Sequence, residues 1–268
     1  MSIYGIYDRN YSILTKEEEQ FLVNIKKNEK SIAIHEVKDY SDYPKAVRHY
    51  ESLFPNHYLD IFDLKNNQQP KEQLELFSTK LNEIKTNERA LLNFFKEHKA
   101  YFIISSLMIN YDFGHHDAFI FPEFQLGNSH QVDFLLVGKN SGGYHFIFVE
   151  LEDPYTRITL KNGELGNAFN KGINQITDWK GWLEQDFQSL STAFMKCKNP
   201  QTSSLPTEFF KYDSTRMEYV VVAGRREHFS EKTYRLRRLY LHQNNIALLH
   251  YDNLYDYAKK MMTQRATY

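Results

Sequence analysis

The chain has 268 residues, 25% of them charged and 41% hydrophobic, and a formal net charge of -1. That length allows one large domain or two smaller ones with chain enough to bury a core, while the near-neutral charge excludes indiscriminate coating of nucleic acid. Cys197 is the only cysteine, so no intrachain disulfide can form. Its neighbours Lys196 and Lys198 favour a lowered thiol pKa, yet the residue reads as incidental in a polar segment. No apolar run reaches membrane-spanning length and Met1-Ser2-Ile3-Tyr4 carries no signal pattern, so the expectation is a cytoplasmic protein with no membrane partner.

In chain order, Thr15 to Lys30 is a predicted helix with Thr15 as N-cap and Glu17 to Glu19 in its first turn. Ser31 to Val37 reads as a strand, Pro44 to Phe54 as a helix, and Lys65-Asn66-Asn67-Gln68-Gln69-Pro70 as a linker. The expected division is an N-terminal regulatory or sensing domain over residues 1–70 and a second domain over 71–268. Glu72 to Lys99 is helical, with a break near Thr86-Asn87 and Thr86 as a second N-cap. Ala118 to Gly127 is a strand that tolerates Pro122 near a sheet edge.

Gln131 to Val137 and Tyr144 to Glu152 alternate as strands, and Lys139-Asn140-Ser141-Gly142-Gly143 between them is turn chemistry. A turn centred on Ser141-Gly142 sets Val137 near Phe146, Leu135 near Phe148, and Asp133 opposite Glu150. Glu152 lies two residues on, on the same face of the strand. Like charges directly opposite are destabilising. Carboxylates converging at one end of an apolar hairpin therefore need a cation, a proton or open water.

Past Gly163 and Gly166, Asn167 to about Gln185 is helical. Ala168, Phe169, Ile173, Ile176, Lys180 and Leu183 mark one side, and Lys171, Gln175, Asp178 and Trp182 another. Asn199 to Pro206 is a loop, and Glu218 to Ala223 and Ile246 to Tyr251 are short strands, each followed by a helix. From Glu218 to Tyr268 nine Lys/Arg face five Asp/Glu. Arg225-Arg226 ends a strand, Arg235, Arg237 and Arg238 sit on the helix Ser230 to Asn244, and Tyr234 and Tyr240 interleave. Such a patch suits phosphates and bases, or equally is a solvated basic helix or an oligomer contact. Gly114-His115-His116-Asp117 lacks a third ligand at set spacing and is a poor metal site.

Glu88 on a helix, then Asp133, Glu150-Leu151-Glu152 and Gln175 resemble a PD-(D/E)XK nuclease core. More narrowly, Glu152-Asp153-Pro154, Gly163-Glu164-Leu165, Ala168 and Gln175-Ile176-Thr177-Asp178-Trp179 resemble the nuclease domain of the bacterial anti-phage Shedu family, as do Glu88 to Phe102 and Gly224-Arg225. The resemblance covers roughly residues 81 to 268. It implies an α/β restriction-endonuclease-like core, a mixed central sheet flanked by helices, beside a smaller α+β N-terminal domain. It also implies a phosphodiesterase cutting double-stranded DNA, with Mg²⁺ or Mn²⁺ held by Asp133, Glu150 and the Leu151 carbonyl. Gln175 would orient water or phosphate, and Glu88 would reach the metal shell. Arg225, Arg235 and Arg238 would meet the DNA backbone, and the chain would form a homo-oligomer, a dimer or tetramer.

The superfamily carries lysine two residues after its second acid, where this chain has Glu152. Either the cation comes from elsewhere, with Lys171 best placed to stabilise charge on the phosphate, or the site is catalytically weak. Glu152 would then be a second-metal ligand or general base. Two rivals remain: a non-catalytic module that keeps the fold for DNA or protein recognition, and an assembly protein whose basic face is an oligomer interface.

Overall fold

The computed structural model describes residues 5–29, 42–64, 68–264 and 268. Helices α1 (Lys16–Glu29), α2 (Lys45–Glu51), α3 (Gln68–Leu81), α4 (Glu88–His98) and α5 (Tyr101–Ser105) precede the sheet. Strands β1 (Asp117–Leu126), β2 (His130–Asn140) and β3 (Gly143–Leu151) then form an antiparallel meander. α6 (Asn167–Met195) crosses to β4 (Met217–Val222), α7 (Glu231–Asn244) to β5 (Ile246–Leu249), and α8 (Tyr251–Gln264) follows. Sheet order is β1-β2-β3-β4-β5, with β3, β4 and β5 parallel. Parallel neighbours need a crossover, which α6 and α7 supply.

Both faces of the sheet are covered, which is why β3 is buried along nearly its whole length rather than on alternate residues. Ile120, Leu136, Ile147, Val149 and Val220 face α3, α4, α5 and α8 through Phe77, Phe95, Ile104 and Leu254. Phe121, Leu135, Phe148 and Val221 face α6 through Phe169, Ile176, Trp179 and Leu183. A mixed α/β architecture with a mixed central sheet is therefore present.

The N-terminal part is stitched to the edge of this sheet. Leu59 N donates to Ala118 O at 2.8 Å and Ile120 N to His57 O at 3.0 Å, so residues 57–59 cover edge strand β1. Phe54 is fully buried in the α6-side core, while Leu14, Leu22, Tyr43, Ala46 and Val47 make a smaller cluster of their own. The expected strand 31–37 and Lys65-Asn66-Asn67 lie outside the described residues.

Several local expectations are corrected. Gln68, Gln69 and Pro70 are not linker but the first turn of α3, where proline's missing N–H costs nothing. The helical stretch from Glu72 divides into α3 and α4, and the cap of α4 is Asn87, whose side chain accepts from Ala90 N at 3.0 Å. Thr86 instead donates to Lys80 O at 2.8 Å. The helix expected to end near Gln185 does break at the next residue, the non-helical Asp186, and a second helical stretch runs on to Met195. Its buried side includes Gly172 and Trp179, while Ile173 and Lys180 are only partly buried. Burial pushes the Cys197 thiol up to about 11, outweighing the lysine beside it. Among the described residues no helix is long and apolar enough to cross a membrane.

Candidate functional site

Asp133 lies where both of its ladders lapse. Toward β1 the pairing passes from Pro122↔Phe134 to Phe124↔Val132, and the strand residue Glu123 between them is left-handed at φ 50. Toward β3 it runs Val137↔Phe146, Leu135↔Phe148 and Phe134↔Val149, then stops one residue short of Asp133 and Glu150. The sequence count of the hairpin thus agrees with the observed register. Released from regular pairing, the Asp133 carboxylate accepts from Leu151 N at 2.8 Å.

Glu150 and Glu152 are each 3% exposed. Glu152 follows the end of β3 and is tied on both sides: its N–H donates to Val222 O at 2.8 Å, and its carbonyl accepts from Tyr251 Oη at 2.7 Å. Glu152 faces α6, where Gly172 lets the helix come close. A Cβ at Gly172 would stand 2.6 Å from Val221 Cγ1 and 3.5 Å from Glu152 Cγ.

That approach brings Lys171 to the acids. Its Nζ donates to Glu152 Oε2 at 3.0 Å and to Glu88 Oε2 at 3.2 Å. One ammonium thus joins the strand end, helix α6 and the first turn of α4. Gln175 is one turn further along α6. Gln175 Oε1 and Glu152 Oε1 are both buried without a hydrogen-bond partner, a state that costs free energy unless another group satisfies them.

Electrostatics follow from burial. Asp133 and Glu150 are each raised well above the carboxylate range: burial leads, and for Glu150 the charges of Asp133 and Glu152 add to it. Burial also raises Glu152, to about 7, against the lowering effect of Lys171. Lys171 is raised because its bonds to Glu152 and Glu88 outweigh its partial desolvation.

Among the described residues no three His, Cys, Asp or Glu side chains together form a ready ion-holding group. Asp133 and Glu150 carry hard oxygen donors, the type that a Mg²⁺-type ion takes when it binds by few protein ligands and retains water. The orphaned Glu152 Oε1 and Gln175 Oε1 are further oxygen atoms wanting a partner.

The expected DNA-contacting arginines are placed differently from one another. Arg235 and Arg238 are exposed on α7. That helix is held to the β3–α6 connection by the Thr159 and Thr233 hydroxyls at 2.6 Å, with Lys232 lying against Gly163. Arg225 is only 15% exposed and is engaged with Asp252 at 2.9 Å. Of the α6 stripe, Trp182 lies against Gly127 in the β1–β2 turn.

Sequence reasoning passed over Tyr251, Gly172 and Arg89. Arg89, exposed beside Glu88, is close enough for its charge to favour ionised Asp133. Gly172 had a readable signal: a glycine between Lys171 and Ile173 in a helix interior costs about 1 kcal/mol against alanine, so close packing was the reason to look for. Tyr251 had none, since its contact with Glu152 spans 99 residues.

Residues 85–255 match the family model described as Shedu protein SduA, C-terminal, a span that includes Glu88, the three acids, Lys171 and Gln175. No curated protein matches this chain. With more than half of its length covered by that match, the chain belongs to the Shedu family.

Proposed function

We propose that this protein is a divalent-metal-dependent endonuclease of double-stranded DNA, built on a restriction-endonuclease-like core and acting in bacterial defence against phage. Membership of the Shedu family supports the defence role. One observation carries the chemistry: Asp133, Glu150, Glu152 and Glu88 gather around one lysine where β2, β3, α4 and α6 meet, with Glu150 and Glu152 buried, Asp133 half-buried, and these three held above their ordinary pKa. A structural ion pair needs one acid per lysine. Beyond the Lys171 pairs with Glu152 and Glu88, Asp133 and Glu150 are two further acids, which would suit an ion with two positive charges.

Asp133 and Glu150, with the Leu151 carbonyl, would hold Mg²⁺ or Mn²⁺. When bound, such an ion polarises a phosphate oxygen and lowers the pKa of water toward neutrality. The chain's own residues do the rest. Lys171 has three N–H donors. Two are spent on Glu152 and Glu88, leaving the third for a non-bridging phosphate oxygen as negative charge builds. Glu152, near pH 7 in affinity for its proton, is suited to take one from the attacking water. Gln175 would turn that water toward phosphorus through its unpartnered Oε1. Arg235 and Arg238 would hold the backbone on the α7 side.

The test is the purified protein with linear and circular double-stranded DNA in Mg²⁺ or Mn²⁺ against EDTA. Metal-dependent cleavage of the circular form is expected. DNA or metal binding without cleavage would instead favour a non-catalytic recognition module, a reading motivated by Glu152 standing where the superfamily carries lysine. Salt-independent oligomerisation with no DNA affinity would favour an assembly protein.

A further inference from the structure

Arg225 sits at the end of β4 in a position expected of a phosphate contact, but its guanidinium is spent on the protein. Nη1 donates to Leu81 O at 2.7 Å and to Tyr155 Oη at 3.2 Å. Nη2 donates to Asn82 Oδ1 at 3.1 Å and to Asp252 Oδ1 at 2.9 Å, and Nε to Asp252 Oδ2 at 3.2 Å. Tyr155 Oη in turn donates to Leu81 O at 2.6 Å. Every nitrogen of the fork has a partner, and a planar fork with all its donors fixed has little left for a substrate.

The partners come from separate stretches of chain. Leu81 is the last residue of α3, whose carbonyl would otherwise be an orphan at the negative end of the helix. Asp252 is in the first turn of α8, and its neighbour Tyr251 holds the Glu152 carbonyl. Tyr155 lies three residues after Glu152. The link from Asn82 to Asn87 leads directly into Glu88. That link has little packing of its own: residues 82–85 are exposed, Ile84 by 82%, and Thr86 alone turns inward. The fork's partners Leu81 and Asn82 stand at the start of this exposed link, and α4 beyond it packs through Leu91, Phe94 and Phe95.

We propose that Arg225, with Tyr155, is a positioning clamp that sets Glu88 against Lys171, rather than a residue that touches DNA. The clamp couples the strand end carrying the acids, the start of α8 and the start of α4 into one rigid corner. Its catalytic consequence rests on the nuclease reading above. Its structural consequence does not.

Two variants and two readouts separate these. Arg225→Ala removes the fork, and Tyr155→Phe deletes a single hydroxyl and keeps the fold if the larger change does not. Hydrogen exchange at residues 86–91 should run roughly tenfold faster in either variant, because the start of α4 is no longer held. In cleavage, kcat should fall by roughly 10–100-fold for Arg225→Ala, the scale of a misplacement of about 1 Å, with a smaller fall for Tyr155→Phe. DNA affinity and its salt dependence should stay as in the unaltered protein. Unchanged exchange, together with weaker DNA binding and a salt slope lowered by about one unit, would overturn the clamp and make Arg225 a phosphate contact. If the unaltered protein cleaves no DNA, the nuclease reading fails, and exchange at residues 86–91 alone upholds or overturns the clamp.

Discussion

Lys171 Nζ stands 3.0 Å from the Oε2 of Glu152, the residue two positions after Glu150. The positive charge is thus present beside the strand end, contributed from α6 instead of β3, and Glu88 shares it at 3.2 Å. A buried acid thus has its counter-ion supplied from the facing helix.

If Lys171 stabilises charge on the transition state, Lys171→Ala should lower the single-turnover rate on the order of 10²-fold. Lys171→Arg should recover little, since a planar fork does not reproduce a compact ammonium between two carboxylates. An unchanged rate in Lys171→Ala would remove the lysine from the chemistry and turn attention to Arg157 and Lys161, which follow the acids.

The raised acids predict how stability depends on pH. A carboxyl that holds its proton more tightly folded than unfolded makes the native state bind more protons, so metal-free stability falls as pH rises. For Glu152 the window runs from the ordinary value near 4.5 to about 7, and Glu150 extends it upward. The melting temperature of the protein in EDTA should therefore drop between about pH 5 and pH 8 and recover with Mn²⁺. Glu150→Gln should flatten the drop and raise the neutral-pH melting point by about 2–4 °C, the shift expected for about 1 kcal/mol in a protein of this size. A melting point that climbs with pH across that window would contradict the protonated, metal-free site.

Much of this site was legible in the residues, for reasons that differ by element. The β2–β3 register could be counted because Ser141-Gly142 fixes the turn and the flanking residues alternate, and Leu135↔Phe148 falls where counting puts it. Lys171 could be placed because the i, i+4 spacing with Gln175 defines one helical stripe. Long-range closures could not be read. That Arg225 is consumed by Leu81 and Asp252, and that Tyr251 holds the Glu152 carbonyl, depends on the packing of α3 and α8. No local pattern encodes that packing. Asn87 displaced Thr86 as a cap because both are good capping residues and only the buried hydroxyl of Thr86 decides between them.

Gly172→Ala should be destabilising even though alanine is the better helix former. The added methyl would meet Val221 Cγ1 at 2.6 Å, and overpacking of this kind costs about 1–3 kcal/mol against a propensity gain of about 1. Moving α6 off the sheet also draws Lys171 away from Glu152, so cleavage should fall further than stability alone explains. A stabilised, fully active Gly172→Ala would show that the sheet yields there at no cost to the site.

Arg235→Ala with Arg238→Ala should weaken DNA binding and lower the slope of log affinity against log salt by about one unit for each phosphate no longer neutralised. Rate at saturating DNA should change little, because binding rather than chemistry is damaged. Normal DNA binding with an altered oligomeric state would assign this exposed face of α7 to assembly instead.

Single-turnover cleavage of circular duplex DNA in Mg²⁺, measured for the unaltered protein, Asp133→Asn and Glu150→Gln, tests the central claim most directly. Both substitutions keep side-chain shape while removing the charge that would hold the ion, so DNA binding should persist while cleavage is abolished in each. Cleavage by either variant at the unaltered protein's rate would contradict the assignment of Asp133 and Glu150 as the metal-holding centre.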